Sequence, residues 1–253
     1  TPKRAFSMPT KTPTESKGLI DELFAAGAHY AYAKSRRHPS TRASIFGAQG
    51  RTDIFDLEHT AAAIAKATLF LEKLGKDGKQ IVIASSKHEA RVAVREAAEK
   101  IGVQYVSGRW VGGTFSNFSL IKKRIDHLEK LIKDRDDGSL GKYTKKERLM
   151  IDREIKRLEE TFGGLRGLRS LPAALILVDP KHEKNAIAEA SMLRIPVIAI
   201  ANSDCDVSKI MCPIPANDSN HTSISAILGK LTDAYAKGKK EAPAPVGAPA
   251  EVR

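Results

Sequence analysis

The chain has little of what disulfide-stapled, membrane-spanning and nucleotide-dependent proteins rely on. It holds two cysteines, Cys205 and Cys212, in 253 residues, too few for a disulfide framework or a four-thiolate zinc site. Its longest apolar runs, such as Ala173 to Val178 and Val197 to Ala201, are strand-length and far short of the ~20 residues a membrane span requires. Residues 1 to 17 are polar, carry Pro2, Pro9 and Pro13 and lack an apolar signal core, so a reducing cytosol is the expected compartment, with an organelle left open. Glycine-rich phosphate turns are missing as well. After IVIAS the chain reads SKHEARVAV, and after ALILVDP it reads KHEKNAIAEA, without the glycines that let a pyrophosphate approach the backbone. Seven histidines form no HExxH pair, and there is no GxSxG elbow. The expectation is no cofactor and no catalysis.

What is there is positive charge on a core-forming chain. Lys and Arg number 42 against 30 Asp and Glu, a formal net charge of +12, with 42% hydrophobic residues and a pI near 9.7. Such an excess steers association with polyanions, which puts nucleic acid or an anionic membrane surface at the head of the partner classes; the strand-length apolar runs weaken the membrane reading, and no membrane partner is expected.

The chain reads as four regions. A flexible basic arm is expected over 1–17 and a disordered Pro- and Ala-rich tail over 237–253, since neither has enough apolar residues to offset the entropy of ordering. Between them, over 18–111 and 167–236, short apolar runs alternate with helical patterns. Strands are expected at Ile81 to Ser85, Val103 to Val106, Ala174 to Pro180, Pro196 to Asn202 and near Ile214. Helices are expected at about Glu58 to Leu74, Lys87 to Lys100, Lys184 to Leu193 and Ser219 to Ala236. Runs apolar on both faces indicate a mostly parallel sheet flanked by helices, an α/β body of Rossmann or flavodoxin type. Short strands are also expected at Ile45-Phe46 and Ile54-Phe55. The insert 112–166 differs. Ile121, Ile125, Leu128 and Ile132 step by four, three and four, the spacing returns at Ile151, Ile155, Leu158 and Phe162, and Gly138 and Gly141 lie between. This predicts an antiparallel helical hairpin, a coiled coil zipped through one seam and projecting roughly 20 Å from the body.

Three segments are candidate sites. In HYAYAKSRRHPSTRASIFGAQGR, His29 to Arg51, the cations Lys34, Arg36, Arg37, Arg42 and Arg51 suit phosphates, and Tyr30 and Tyr32 suit stacking on exposed bases. The alternative keeps the tyrosines in the core with the arginines merely solvated. In RWVGGTFSNFSLIKKRI, Arg109 to Ile125, the only tryptophan and a glycine pair precede a basic helix. Such a joint can turn sharply and expose backbone amides to phosphate, with Arg109, Lys122, Lys123 and Arg124 beside it. Trp110 is a stacking candidate or, equally, a core anchor at the hairpin root. Lys145 and Lys146 add cations on the second hairpin helix, although a solvated face would carry the same charge. Asp204, Asp206 and Asp218 form a weak metal candidate as hard oxygen ligands, against their commoner use in helix caps and Asx turns.

The same segments carry a family resemblance. GAHYAYAKSRRHP at Gly27 to Pro39, Ile45-Phe46-Gly47, Ile54 to Leu57, RWVGGTFSNF at Arg109 to Phe118, Tyr143 to Glu147, Leu171 to Pro180, Ile195 to Asp206 and Ile214 to Asp218 follow in order the motifs of the small-subunit ribosomal protein S-two family. The chain resembles its bacterial or organellar form from Gly18 to Gly229. It departs at Tyr30 to Ala33, where members commonly read FGHQ, at Val207 in place of a proline, and at Ser219 in place of a second Asp; these changes weaken the metal reading. The resemblance implies a structural protein of the small ribosomal subunit on cytoplasmic or organellar ribosomes. It further implies binding to small-subunit ribosomal RNA and neighbouring ribosomal proteins, in bacteria including the large protein S-one. The rival readings are a free-standing RNA-binding or scaffold protein and an enzyme with a degenerate nucleotide site.

Overall fold

The computed structural model describes residues 13–241. Five strands, β4 (Ile81–Ala84), β5 (Gln104–Val106), β6 (Ala174–Val178), β7 (Val197–Ala201) and β8 (Cys212–Pro215), form one parallel sheet in the order β5-β4-β6-β7-β8. Counted within the sheet this is 2-1-3-4-5, the flavodoxin-type order, with its topological switch between β4 and β6. Side chains alternate between two cores as strand geometry demands. Ile81, Ile83, Ile176, Ile198 and Ile200 face one, and Val82, Ala84, Leu175, Leu177 and Ala199 face the other.

The first core is covered by α2 (Leu57–Lys76), α3 (Arg91–Ile101) and α7 (His221–Glu241), with Leu23 of α1 (Pro13–Ala25). Helices α2 and α7 cross where Gly75 meets Gly238. A Cβ on either glycine would collide with backbone of the opposite helix, the carbonyl oxygen of Glu72 or of Tyr235. Helix α2 starts at the cap Asp56, whose carboxylate accepts the Glu58 amide at 2.9 Å, and α3 ends at the left-handed Gly102.

The second core receives α6 (Lys184–Met192) and the pair α4 (Phe118–Asp136) and α5 (Lys145–Phe162). The two insert helices run past each other through the predicted positions. Ile121, Ile125, Leu128, Ile155, Leu158 and Phe162 are buried, and Ile132 and Ile151 are half-buried. His127 meets Glu154 across the pair at 3.2 Å, and Thr144 with Glu147 forms the capping box that starts α5.

A separate three-stranded antiparallel sheet, β1 (Tyr30–Ala33), β2 (Ile45–Gln49) and β3 (Thr52–Phe55) in the order β1-β3-β2, joins the body. Strand β1 lies in the basic His29 to Arg51 segment, ahead of the short strands expected at Ile45-Phe46 and Ile54-Phe55. The region boundaries also move. Helix α1 begins at Pro13, inside the expected arm 1–17, and α7 continues to Glu241, into the expected tail 237–253. The rest of both terminal segments lies outside the described residues.

Candidate nucleic-acid interface

The Arg109 to Phe118 joint does expose a row of backbone amides, but the anion they hold comes from the chain itself. Glu189 on α6 is 7% exposed. Its carboxylate accepts the amides of Gly113 and Phe115, each at 2.8 Å, the Ser116 amide at 3.1 Å and the Trp110 indole N–H at 3.2 Å. Gly113 sits at φ +92°, where an L side chain is strained. Burial disfavours the charge of Glu189, yet the donors of Ser116, Phe115, Gly113 and Trp110 overcome it and hold the carboxyl below the usual carboxylate range. Trp110 is 5% exposed and meets Phe115 edge to face at 4.9 Å. Its stacking role is therefore corrected: it is the core anchor of the hairpin root. Only Arg109 of the joint's first two residues is exposed.

An α/β sheet offers ligands the crevice beyond the carboxyl ends of its strands, at the switch point. Here that crevice is closed by the chain's own groups. Lys87, following β4, places its Nζ 3.3 Å from Asp179 Oδ2, after β6, and 3.0 Å from Asp218 Oδ2, after β8. The same ammonium lies 3.3 Å from the Tyr32 hydroxyl and 3.2 Å from Ser219 Oγ. Asn202, after β7, donates to Asp218 at 2.7 Å, and its Oδ1 accepts the Tyr32 amide at 3.2 Å. Four strand ends and β1 thus meet around one half-buried lysine. Burial opposes its charge, but Asp218 and Asp179 more than compensate and push its pKa up, so it stays an ammonium and accepts no proton at neutral pH. His182 at 2.7 Å and Lys87 keep Asp179 a carboxylate against its burial.

The three acids proposed from sequence as metal ligands are not brought together. Asp206 caps the Ser208 amide at 3.0 Å in an Asx turn. Asp204 pairs with Lys181 at 2.7 Å and with Arg36 at 3.7 Å. Asp218 belongs to Lys87. The metal reading is corrected accordingly. A different trio, Asp179, Cys205 and Asp218, does converge, but the Lys87 ammonium already bridges its two carboxylates. The Cys205 thiol, pushed up to about 12 by burial and by Asp179, Asp218 and Asp204, stays protonated.

The basic segment folds over this crevice. Backbone and side-chain hydrogen bonds from His38 and Thr41 reach the Ser203 carbonyl at 2.7 and 2.8 Å, and Ser40 links Cys205 and Val207. From His29 to Thr52 there are five Lys and Arg and no acid. Lys34, Arg36, Arg42 and Arg51 are exposed, and the Lys34 amide donates to the Arg51 carbonyl at 3.1 Å, which sets two cations side by side. Arg37 is committed elsewhere. Its guanidinium makes a two-pronged pair with the fully buried Asp53, Nε to Oδ2 at 2.6 Å. Tyr32 turns inward to Lys87 and Ser219, with Arg36 over its ring at 4.6 Å, whereas Tyr30 is 48% exposed. Lys122, Lys123 and Arg124 on α4, and Lys145 and Lys146 on α5, are exposed as well. Ten of the eleven cations read from sequence therefore face outward.

Sequence reasoning missed Glu189, Lys87 and Asp53. Lys87 and Asp179 each follow a recognised strand, and that position is the one signal that could have found them.

No helix among the described residues is long and apolar enough to cross a membrane. The family model described as ribosomal protein S2 matches residues 23–238. The chain is similar to the small ribosomal subunit protein uS2 of Mesoplasma florum, 38% identical over 218 residues, which covers 86% of this chain and 82% of that protein. It is also similar to the uS2 of Dictyoglomus thermophilum, 38% identical over 221 residues, covering 87% and 90%. With the family model spanning the α/β body and its helical insert alike, the chain belongs to the ribosomal protein S2 family.

Proposed function

We propose that this chain is a structural constituent of the small ribosomal subunit that binds ribosomal RNA by neutralising phosphates and carries out no reaction. Its relatives bear the name of a small-subunit ribosomal protein. The observation that carries the mechanism is the acid-free stretch from His29 to Thr52, folded so that Lys34, Arg36, Arg42 and Arg51 stand outward in the turns that join the strands of the small sheet. Cations fixed in this way replace condensed counterions along folded RNA, and the sheet sets their spacing. Arg109 and the lysines and arginine of α4 and α5 extend the basic surface. Neighbouring ribosomal proteins, S-one among them, are the expected protein contacts.

The non-enzymatic reading is supported by the closed switch point. A lysine held as an ammonium between two carboxylates stands in the place where this sheet type binds its ligand.

A sucrose-gradient profile of tagged protein in its own cell extract, at low and then high magnesium, tests the proposal. Migration with the small subunit at both levels is the expected result. Migration only at the top of the gradient refutes it and leaves a free RNA-binding or scaffold protein.

A further inference from the structure

Three rings form one column where α1 runs into β1. Phe24 lies stacked on His29 with centroids 4.4 Å apart and planes 12° from parallel, and Tyr30 tilts against His29 with centroids 4.1 Å apart and planes at 39°. The middle ring is buried, 9% exposed, and its Nδ1 has no hydrogen-bond partner among the described residues. The outer rings are open: Phe24 is 61% and Tyr30 48% exposed. The column is held from below. Asn220 and Thr222, at the start of α7, donate to the Ala26 carbonyl at 3.1 and 3.2 Å, Phe55 donates its amide to the His29 carbonyl at 2.8 Å, and the left-handed Gly27 makes the turn.

An aromatic stack that ends in solvent leaves apolar ring faces uncovered on a rigid support, and a planar partner extends it without any rearrangement. Charge decides which partner. Lys34, four residues along from Tyr30 and about 13 Å away at strand rise, sits with Arg51 at the other end of the β1–β3 pair. No acid follows the column until Asp53, itself consumed by Arg37. Rings at one end and cations at the other match the base and the phosphates of a single strand.

We infer that the Phe24–His29–Tyr30 column is a stacking site for an unpaired nucleobase of RNA, whose backbone continues toward Lys34 and Arg51. The inference rests on the RNA-binding reading above and adds a base-dependent term to it. Neutral stacking responds to the presence of a base, whereas the cations respond to salt.

The test is fluorescence titration of the full chain with a single-stranded adenosine decamer RNA and with the same decamer made abasic throughout, each over a range of salt. Phe24→Ala and Tyr30→Ala should each weaken binding to the base-bearing decamer by between about 5- and 150-fold. They should leave the abasic decamer and the salt slope unchanged, and Tyr30→Phe should bind like the parent. Both side chains are largely exposed, and matching urea midpoints verify that the variants fold. Equal losses on the two decamers, or no loss on the base-bearing one, overturn the stacking site while the phosphate reading stands. If the parent shows no salt-dependent binding to either decamer, both readings fall. Loss of a neighbouring ribosomal protein from the particle with unchanged RNA affinity assigns the column to protein and also overturns the inference.

Discussion

The carboxylate of Glu189 stands 2.8 Å from the amides of both Gly113 and Phe115, so the anion-binding loop that opens the helical insert is occupied from within. This ties the root of α4 to α6 and to the second core.

Removing that carboxylate strands the buried donors of Trp110 and Phe115 and frees the amides of Gly113 and Ser116 at once. Glu189→Ala should lower unfolding free energy by about 3 kcal/mol or more, the range for charge-assisted bonds lost together, read as a fall in urea midpoint. Glu189→Gln should lose less.

The same pair fixes an acid dependence. The folded pKa of Glu189 lies below its ordinary 4.5. Its contribution to stability is therefore complete above the unfolded value and lost as pH falls through the folded one. Between neutral pH and about 3 the parent should lose more stability than Glu189→Gln, by urea unfolding at each pH. A parallel decline of the two would contradict the clasp.

Lys87 is the only cation within reach of both Asp179 and Asp218 among the described residues. Lys87→Met should leave two buried carboxylates facing each other and cost about 3–5 kcal/mol. Because Tyr32 shares the lysine, the loss should concentrate in the small sheet, as faster proteolysis and amide exchange over residues 30–55. Adding Asp218→Asn should restore part of the stability. No recovery would mean the lysine acts through packing alone.

Glycines in α7 provide a control on helix packing. Gly238→Ala should destabilise by about 1–3 kcal/mol, because its new methyl group meets the Glu72 carbonyl. Gly229→Ala, with open space around it, should be neutral or stabilising by up to about 1 kcal/mol. Thermal unfolding of both variants distinguishes crossing geometry from general helix propensity.

Much of this fold is legible in the sequence because its signals are local. The strand Ala174 to Val178 and the helix Lys184 to Met192 announce themselves by run length and period, and the 4-3-4 steps from Ile121 identify a buried face. The site is less legible because its decisive contacts are long-range. Seventy-six positions separate Glu189 from Gly113, and no periodicity reports a partner at that distance. A GG turn before a basic helix reads the same whether it holds a phosphate or the chain's own carboxylate. Likewise Tyr30 to Ala33 alternates as a strand should, but four residues with cations just beyond do not stand out as a strand until β3 pairs with them.

Arg37 and Arg42 separate the structural from the electrostatic use of one basic segment. Both lie five residues apart in an acid-free stretch and look interchangeable. Only Arg37 meets the fully buried Asp53, so Arg37→Ala leaves a carboxylate without its partner. It should lower the urea midpoint and leave the salt dependence of RNA binding unchanged. Arg42→Ala, on an exposed side chain with no ion pair among the described residues, should keep the midpoint. It should instead reduce the log–log salt slope by about 0.9, the share of one phosphate contact. Replacing Lys34, Arg42 and Arg51 together should remove close to three such shares. If Arg37→Ala reduces the slope as Arg42→Ala does, the pairing with Asp53 yields to RNA, and the division of labour between the two arginines is wrong.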